Sequence, residues 1–302
     1  MKRKVNYVSR RDLKSVKYAS YASVAVACIL IFVKFFAWHV TGALSLQASL
    51  IDSLLDGLAS LLNMFAIRQA HRPPDAEHRF GHGKIEAIGA LAQSIFIFGS
   101  ASWLLYEAGN RFIHPESLEK AEVGLWVMVF SVVLTLALVL YQKHVFKKTN
   151  SIAIHADSIH YESDLFINIS VIIALLGSTF PGMTLLDPLI GAGIAGYILY
   201  TAWKVAAQSF DILIDREFSQ EDRQKIIQLV LSHPQVLNYH DLRTRSSGTQ
   251  KFIQIHLEMD GSLTLKAAHN VSHEVILKVQ QAFPHTEVLI HEDPSGEIDE
   301  HP

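Results

Sequence analysis

The chain has 302 residues, of which 50% are hydrophobic and only 18% charged, with a formal net charge of −3 at pH 7. That balance excludes an ordinary soluble domain, which is nearer a quarter charged, and it leaves no basic field for nucleic acid. Cys28 is the single cysteine, so neither an intramolecular disulfide nor a thiolate cluster can form, and any metal chemistry must use oxygen and the nitrogen of 16 histidines.

The opening stretch MKRKVNYVSRRDLKSVK is too long and too polar to lead a cleaved signal peptide, so the first apolar segment is expected to stay in the mature protein. Six apolar segments follow, at 18–40, 44–66, 85–106, 123–141, 158–177 and 185–206. Each is near the ~20 residues that a bilayer core demands. Lys and Arg crowd the amino-terminal stretch and the loops after the second and fourth segments, against only Arg111 and Lys120 in the opposite loops. This asymmetry and the even number of spans place both termini in the cytoplasm.

The second segment contains LIDSLLDGLASLL, in which Asp52 and Asp56 stand four residues apart. On a helix they share a face, about 6 Å apart along the axis. A carboxylate at the centre of a membrane helix costs about 3 kcal/mol, so two in successive turns need a partner, and a multivalent cation is the simplest. The fifth segment repeats the spacing with His160 and Asp164 in HADSIHYESDLF. If these two helices face each other, three carboxylates and one imidazole form a tetrahedral cage suited to Zn2+, with Cd2+, Fe2+, Co2+ or Mn2+ as further guests. Mg2+ and Ca2+ would want more oxygens, and Cu+ would want sulfur. Asp157 and Glu162 are expected to point elsewhere, and His155 reads as an interfacial residue. In the sixth segment Gly191, Ala192, Gly193, Ala195 and Gly196 make a small-residue face for helix packing.

Between the second and third segments, PPDAEHRFGHGK holds Asp75, His78 and His82, residues that fit either a metal site or a solvated, irregular loop. From residue 210 to 302 the chain turns polar and reads as a separate domain after a transmembrane domain of residues 1–209. Ser219 to Asp222 is a capping box opening a helix to about Ser232. Strands at 236–245 and 251–259 flank a turn with Gly248, and a helix at 265–283 and a strand at 287–291 complete an α-β-β-α-β order with a small open sheet. His240, His256, His291 and Asp293 fall on or just after the strands, and His269 in the second helix. Taken alone they are either surface residues or ligands. His233, His273, His285 and His301 read as surface.

The Asp52/Asp56 and His160/Asp164 pairs, the FGHGK segment at residues 80–84 and the HDLRTR and FIQIHLEM stretches together resemble the cation diffusion facilitator family, closest to its bacterial zinc-and-iron efflux branch. The resemblance covers essentially the whole chain. It implies a homodimeric exchanger in the cell inner membrane that moves a divalent metal out of the cytoplasm against inward proton flow, with a metallochaperone-like cytoplasmic domain. It also implies that Asp75, His78 and His82 form a loop metal site, and that His240, His256, His269, His291 and Asp293 form a binuclear site bridged by Asp293. Lys84 and Asp215 would form an ion pair tying the two domains together.

Metal binding needs deprotonated carboxylates and a neutral imidazole, so protons compete with the ion for the same groups. An imidazole ordinarily titrates near pH ~6.5, which makes His160 the expected sensor of a pH difference. A membrane metallohydrolase would need His-Glu-x-x-His, and neither His273-Glu274 nor His291-Glu292 has the second histidine. An ATP-driven pump would need a phosphate loop, but His78 stands where its first glycine belongs and Ile85 replaces the Ser or Thr. A metal sensor merely anchored by its spans would carry three costly intramembrane carboxylates for no purpose. The chain is therefore expected to be a transporter and not an enzyme.

Overall fold

The computed structural model describes residues 10–41, 44–113, 122–177 and 186–296. Six long helices come first: α1 (Arg10–Thr41), α2 (Leu44–Ala70), α3 (Lys84–Ile113), α4 (Glu122–Thr149), α5 (Ile152–Gly177) and α6 (Leu186–Leu213). Among the described residues, Leu13–Val40, Ser49–Ala70, Lys84–Asn110 and Leu125–Thr149 are long and apolar enough to cross a membrane. Helices α5 and α6 share that length, at 26 and 28 residues. Phe32, Leu62, Trp103 and Trp126 are all well over half exposed, which suits a surface solvated by lipid. The result is a helical transmembrane domain with a small α/β domain at its carboxyl end.

The helices overrun the apolar stretches that announced them. Helix α1 starts at Arg10 rather than 18, α4 ends at Thr149 rather than 141, and α6 reaches Leu213 rather than 206. Hydropathy marks only the turns immersed in lipid, whereas the backbone ladder continues into water where side chains such as Lys147 and Lys148 are no cost. Helix α5 begins six residues early for a local reason. Ser151 Oγ accepts from Ile154 N at 3.3 Å, and the buried Glu86 of α3 bonds Ser151 and lies 3.5 Å from Ala153 N. A hydroxyl and a carboxylate thus cap the helix that carries His160 and Asp164.

Helix α5 packs among α2, α3 and α4. At Gly89 of α3 an added Cβ would stand 2.6 Å from Ala66 Cβ of α2, so only glycine permits this approach. Of the small-residue face on α6, Gly191 looks toward Ala108 of α3, while Gly193 and Gly196 meet nothing within 4 Å. Polar side chains cluster in the bundle interior around Asp157, which is fully buried. Its Oδ2 accepts from Ser23 Oγ of α1 at 2.6 Å and from Gln142 Nε2 of α4 at 2.6 Å, and its Oδ1 accepts from Gln93 Nε2 of α3 at 3.0 Å. Asp157 therefore ties four helices together, one turn of α5 before His160. Replacing it by Ala takes the acceptor from the buried Gln93 amide, at about 1–3 kcal/mol, and weakens the bonding of Ser23 and Gln142, which keep Ala19 O and Ser23 Oγ as acceptors. Asp157→Ala is expected to lower the thermal midpoint of the detergent-solubilised protein by at least ~5 °C, measured by fluorescence-detected gel filtration after heating.

The compact membrane unit spans Arg11–Phe210, and the second unit includes the chain from Asp211 onward. The latter contains α7 (Gln220–Leu231), β1 (Asn238–Ser247), β2 (Gln250–Met259), α8 (Leu265–Ala282) and β3 (Thr286–Pro294). Ser219 caps α7, its side chain accepting from Asp222 N. Strand order is β1-β2-β3, antiparallel between β1 and β2 and parallel between β2 and β3. Ile253, Ile255 and Leu257 alternate toward one face and pack with Ile226 and Val230 of α7 and Val271, Val275 and Val279 of α8. Period-two alternation then leaves His256 and Glu258 for the opposite face. Strand β3 runs three residues beyond the expected end at 291, which puts Asp293 on the strand.

Candidate metal centres

In the membrane unit, α2 and α5 bring three of the four expected ligands together. His160 Nε2 lies 3.1 Å from Asp56 Oδ1 and 3.9 Å from Asp164 Oδ2, and the ligand atoms of Asp56, His160 and Asp164 all fall within 4.8 Å of one another. Adjacent ligands of a tetrahedral Zn2+ stand about 3.3 Å apart when metal–ligand distances are near 2.0–2.1 Å, so this spacing needs little adjustment. His160 Nε2 and Asp164 Oδ2 are both buried, and neither makes a well-aligned hydrogen bond among the described residues, so Asp56 and Asp164 meet His160 as ion-pair contacts. Asp52 is exposed and stands outside the group. It shares a face with Asp56 but sits one turn away, so a pocket formed at the level of Asp56 does not include it without movement.

The loop residues also converge. Asp75 Oδ2 is 3.4 Å from His82 Nε2, and Asp75 Oδ1 is 3.3 Å from His78 Nδ1. Asp75 Oδ1 accepts from His78 N at 2.7 Å and Glu77 N at 3.0 Å, and these backbone donors, His78 foremost, hold its carboxyl below the usual range. Gly81, at φ 82°, allows the turn that returns His82 to Asp75.

The third cluster is built by strand register. His240, His256 and His291 are cross-strand neighbours in one row, and Glu258 and Asp293 are neighbours in the next row on the same face. Asp293 is buried between them. Its Oδ2 lies 2.9 Å from His256 Nδ1 and 3.4 Å from His240 Nε2, and its Oδ1 lies 3.1 Å from His291 Nε2. The two oxygens thus look toward different imidazoles, the disposition that a bridging carboxylate needs. His269 is not among them, because α8 packs on the opposite face of the sheet. Its ring lies parallel to that of His273, 6.5 Å away. Lys84 opens α3, and Asp215, at φ 59°, lies 3.5 Å from Arg245 just beyond α6.

The family profile described as the cation efflux transmembrane domain matches residues 20–214, nearly two-thirds of the chain. This chain belongs to the cation efflux family. A second profile, the cytoplasmic domain of cation efflux proteins, matches residues 218–295. A protein of Shewanella oneidensis described as the cation-efflux pump FieF is 48% identical over 279 residues, covering 92% of this chain and 94% of its own. Its namesake in Yersinia enterocolitica is 44% identical over 283 residues, 94% of each chain. Among solved structures, the metal-bound C-terminal domain of the CzcD transporter from Thermotoga maritima aligns at 27% identity with a TM-score of 0.26, over 27% of this chain and 100% of its own.

A cation efflux transporter has to receive, hold and release its cargo, and the three clusters offer ligands of one chemical kind, imidazole with carboxylate. Some participants escaped the sequence reading. Glu258 lies 3.2 Å from His240 Nδ1, and Asp241 Oδ2 lies 3.9 Å from His256 Nε2. Asp241 sits at φ 47° in the bulge between His240 and Arg243, and the Arg243 guanidinium holds its carboxyl low. A strand reading with period two could have found Glu258 beside His256. No simple pattern announces a residue placed by a bulge. Lys34 of α1 was also missed, although it is the one Lys or Arg in the apolar run 18–40.

Proposed function

We propose that this transporter exports a divalent transition metal, Zn2+ foremost with Cd2+ and Fe2+ as alternatives, from the cytoplasm in exchange for protons. The observation that carries the reading is the convergence of Asp56, His160 and Asp164 inside a membrane domain, with His160 Nε2 3.1 Å from Asp56 Oδ1 and 3.9 Å from Asp164 Oδ2. Asp52, on the same face of α2, supplies the fourth ligand when its side chain turns toward the ion. Two carboxylates from one helix and an imidazole and a carboxylate from another make the cage a seam, so sliding α2 against α5 opens it to one side or the other.

Each ligand binds the ion only after losing its proton, so protons arriving from the outer side expel the cargo and the protonated site returns inward. The Asp75, His78 and His82 loop offers an exposed, weaker site that passes ions toward this pathway. The cytoplasmic-domain match and the resemblance to homodimeric exchangers support a dimer with both termini in the cytoplasm of a bacterial inner membrane.

In inverted vesicles, imposing an acidic interior is expected to accelerate Zn2+ uptake several-fold over vesicles without a pH gradient. Uptake indifferent to the gradient rules out antiport while leaving export intact.

A further inference from the structure

Lys34 is an anomaly of the membrane domain. Lysines in spanning helices ordinarily snorkel to the lipid headgroups, but Lys34 is 7% exposed and turned into the bundle. Its Nζ donates to Ser53 Oγ at 2.7 Å and to Ser49 O at 3.2 Å, both on α2. Ser53 lies between Asp52 and Asp56 on α2. No carboxylate comes within 4 Å of it among the described residues. The ammonium is held by neutral groups at electrostatic range of the cage, and it does not take up a ligand.

We propose that Lys34 is the fixed counter-charge of the transport site: anchored to α2 through Ser53 and Ser49, it cancels the single negative charge that three carboxylates leave over after a divalent ion binds. This rests on reading Asp52, Asp56, His160 and Asp164 as that site. A neutral loaded cage can cross the low-dielectric interior without carrying unbalanced charge, whereas a monovalent cargo would leave it negative. The fixed cation also weakens the hold on the ion. A cage of three carboxylates alone would bind a divalent metal tightly enough to retard its release, and a positive charge nearby shortens its residence.

The two substitutions that separate charge from hydrogen bonding are Lys34→Gln, which can still donate to Ser53, and Lys34→Arg, which keeps the charge. Full-length protein in proteoliposomes is assayed for initial rates of Zn2+ transport over a range of Zn2+ concentrations. Lys34→Gln is expected to lower KM and kcat together, each by about tenfold, because the ion binds more tightly and leaves more slowly. Lys34→Arg is expected to stay within about threefold of wild type on both. A Gln variant that matches wild type, or one that raises KM while the Arg variant does the same, overturns the proposal in favour of a packing role. If Lys34→Gln does not yield folded protein, Lys34→Met with the same two readouts decides, and unfolding of both while Lys34→Arg folds but transports with raised KM also overturns it. Asp56→Ala in the same assay keeps the two readings apart. Transport surviving that change ends the site assignment, whereas its loss together with an unaltered Lys34→Gln ends only the counter-charge.

Discussion

Replacing Asp164 by Ala is expected to reduce metal transport at least 100-fold, to the level of empty liposomes, and Asp56→Ala to do the same. Each change removes one carboxylate from a cage in which His160 Nε2 reaches Asp56 at 3.1 Å and Asp164 at 3.9 Å. Water substitutes poorly there for an anionic ligand, because it brings no charge to offset the cost of dehydrating the ion. Loss of one anionic ligand from four also removes charge that helped strip water from the metal, so binding and not merely release should fail. The measurement is Zn2+ uptake into proteoliposomes under an imposed pH gradient, with reconstitution efficiency matched by gel filtration. Asp52→Ala is the informative companion. A loss as deep as that of Asp164→Ala means that Asp52 turns in to complete the loaded cage. A residual rate above ~10% of wild type means that three protein ligands suffice and water fills the fourth place.

The parts of this picture visible in the sequence are those fixed by short-range spacing. A four-residue interval on a helix stacks two side chains wherever that helix packs, so Asp52/Asp56 and His160/Asp164 announced themselves before any contact was known. Likewise the alternation of Ile253, Ile255 and Leu257 with His256 and Glu258 would give the two faces of β2, a pattern the reading of a strand at 251–259 did not use. What spacing cannot supply is the level at which two helices meet. The contact of α2 with α5 runs from Asp56 through Ser60 to Asn63, which leaves Asp52 one turn beyond its end. Nor does composition say which distant residues satisfy a buried polar group. Asp157 finds Ser23, Gln93 and Gln142 at separations of 134, 64 and 15 residues, and Lys34 finds Ser53 across a helix pair. Lys34 was visible as the lone Lys or Arg of the apolar run 18–40, since such a residue needs partners in a membrane, whereas Asp157 stands among other polar residues. The identity of the partners required the packed bundle. His269 shows the converse. A resemblance assigned it to the cytoplasmic cluster, but α8 covers the sheet face opposite His240, His256 and His291, and within one chain it stands apart.

If the row of histidines binds metal as proposed, Asp293→Ala is expected to lower the affinity of that site in the full-length protein at least 100-fold. The reason is its position in the register. Each imidazole of the row meets Asp293 at a distance between 2.9 and 3.4 Å, yet His291 reaches only Oδ1, while His240 and His256 share Oδ2. Removing one histidine leaves a carboxylate with the other two, whereas removing Asp293 leaves three neutral donors with no shared anion between them. A carboxylate bridge also lowers the repulsion between two neighbouring cations, so its loss should bear hardest on double occupancy. Metal content after gel filtration in chelator-treated buffer, determined by atomic emission, should therefore fall further for Asp293→Ala than for His256→Ala, and further for His256→Ala than for His291→Ala. Because Asp293 is only 7% exposed and no buried cation replaces it, Ala also deletes hydrogen-bond acceptors without leaving a charge behind. Circular dichroism of the same samples separates that loss of structure from loss of ligand. A folded variant that retains the wild-type metal content would mean that Asp293 merely orders the histidines and that the ions are held elsewhere.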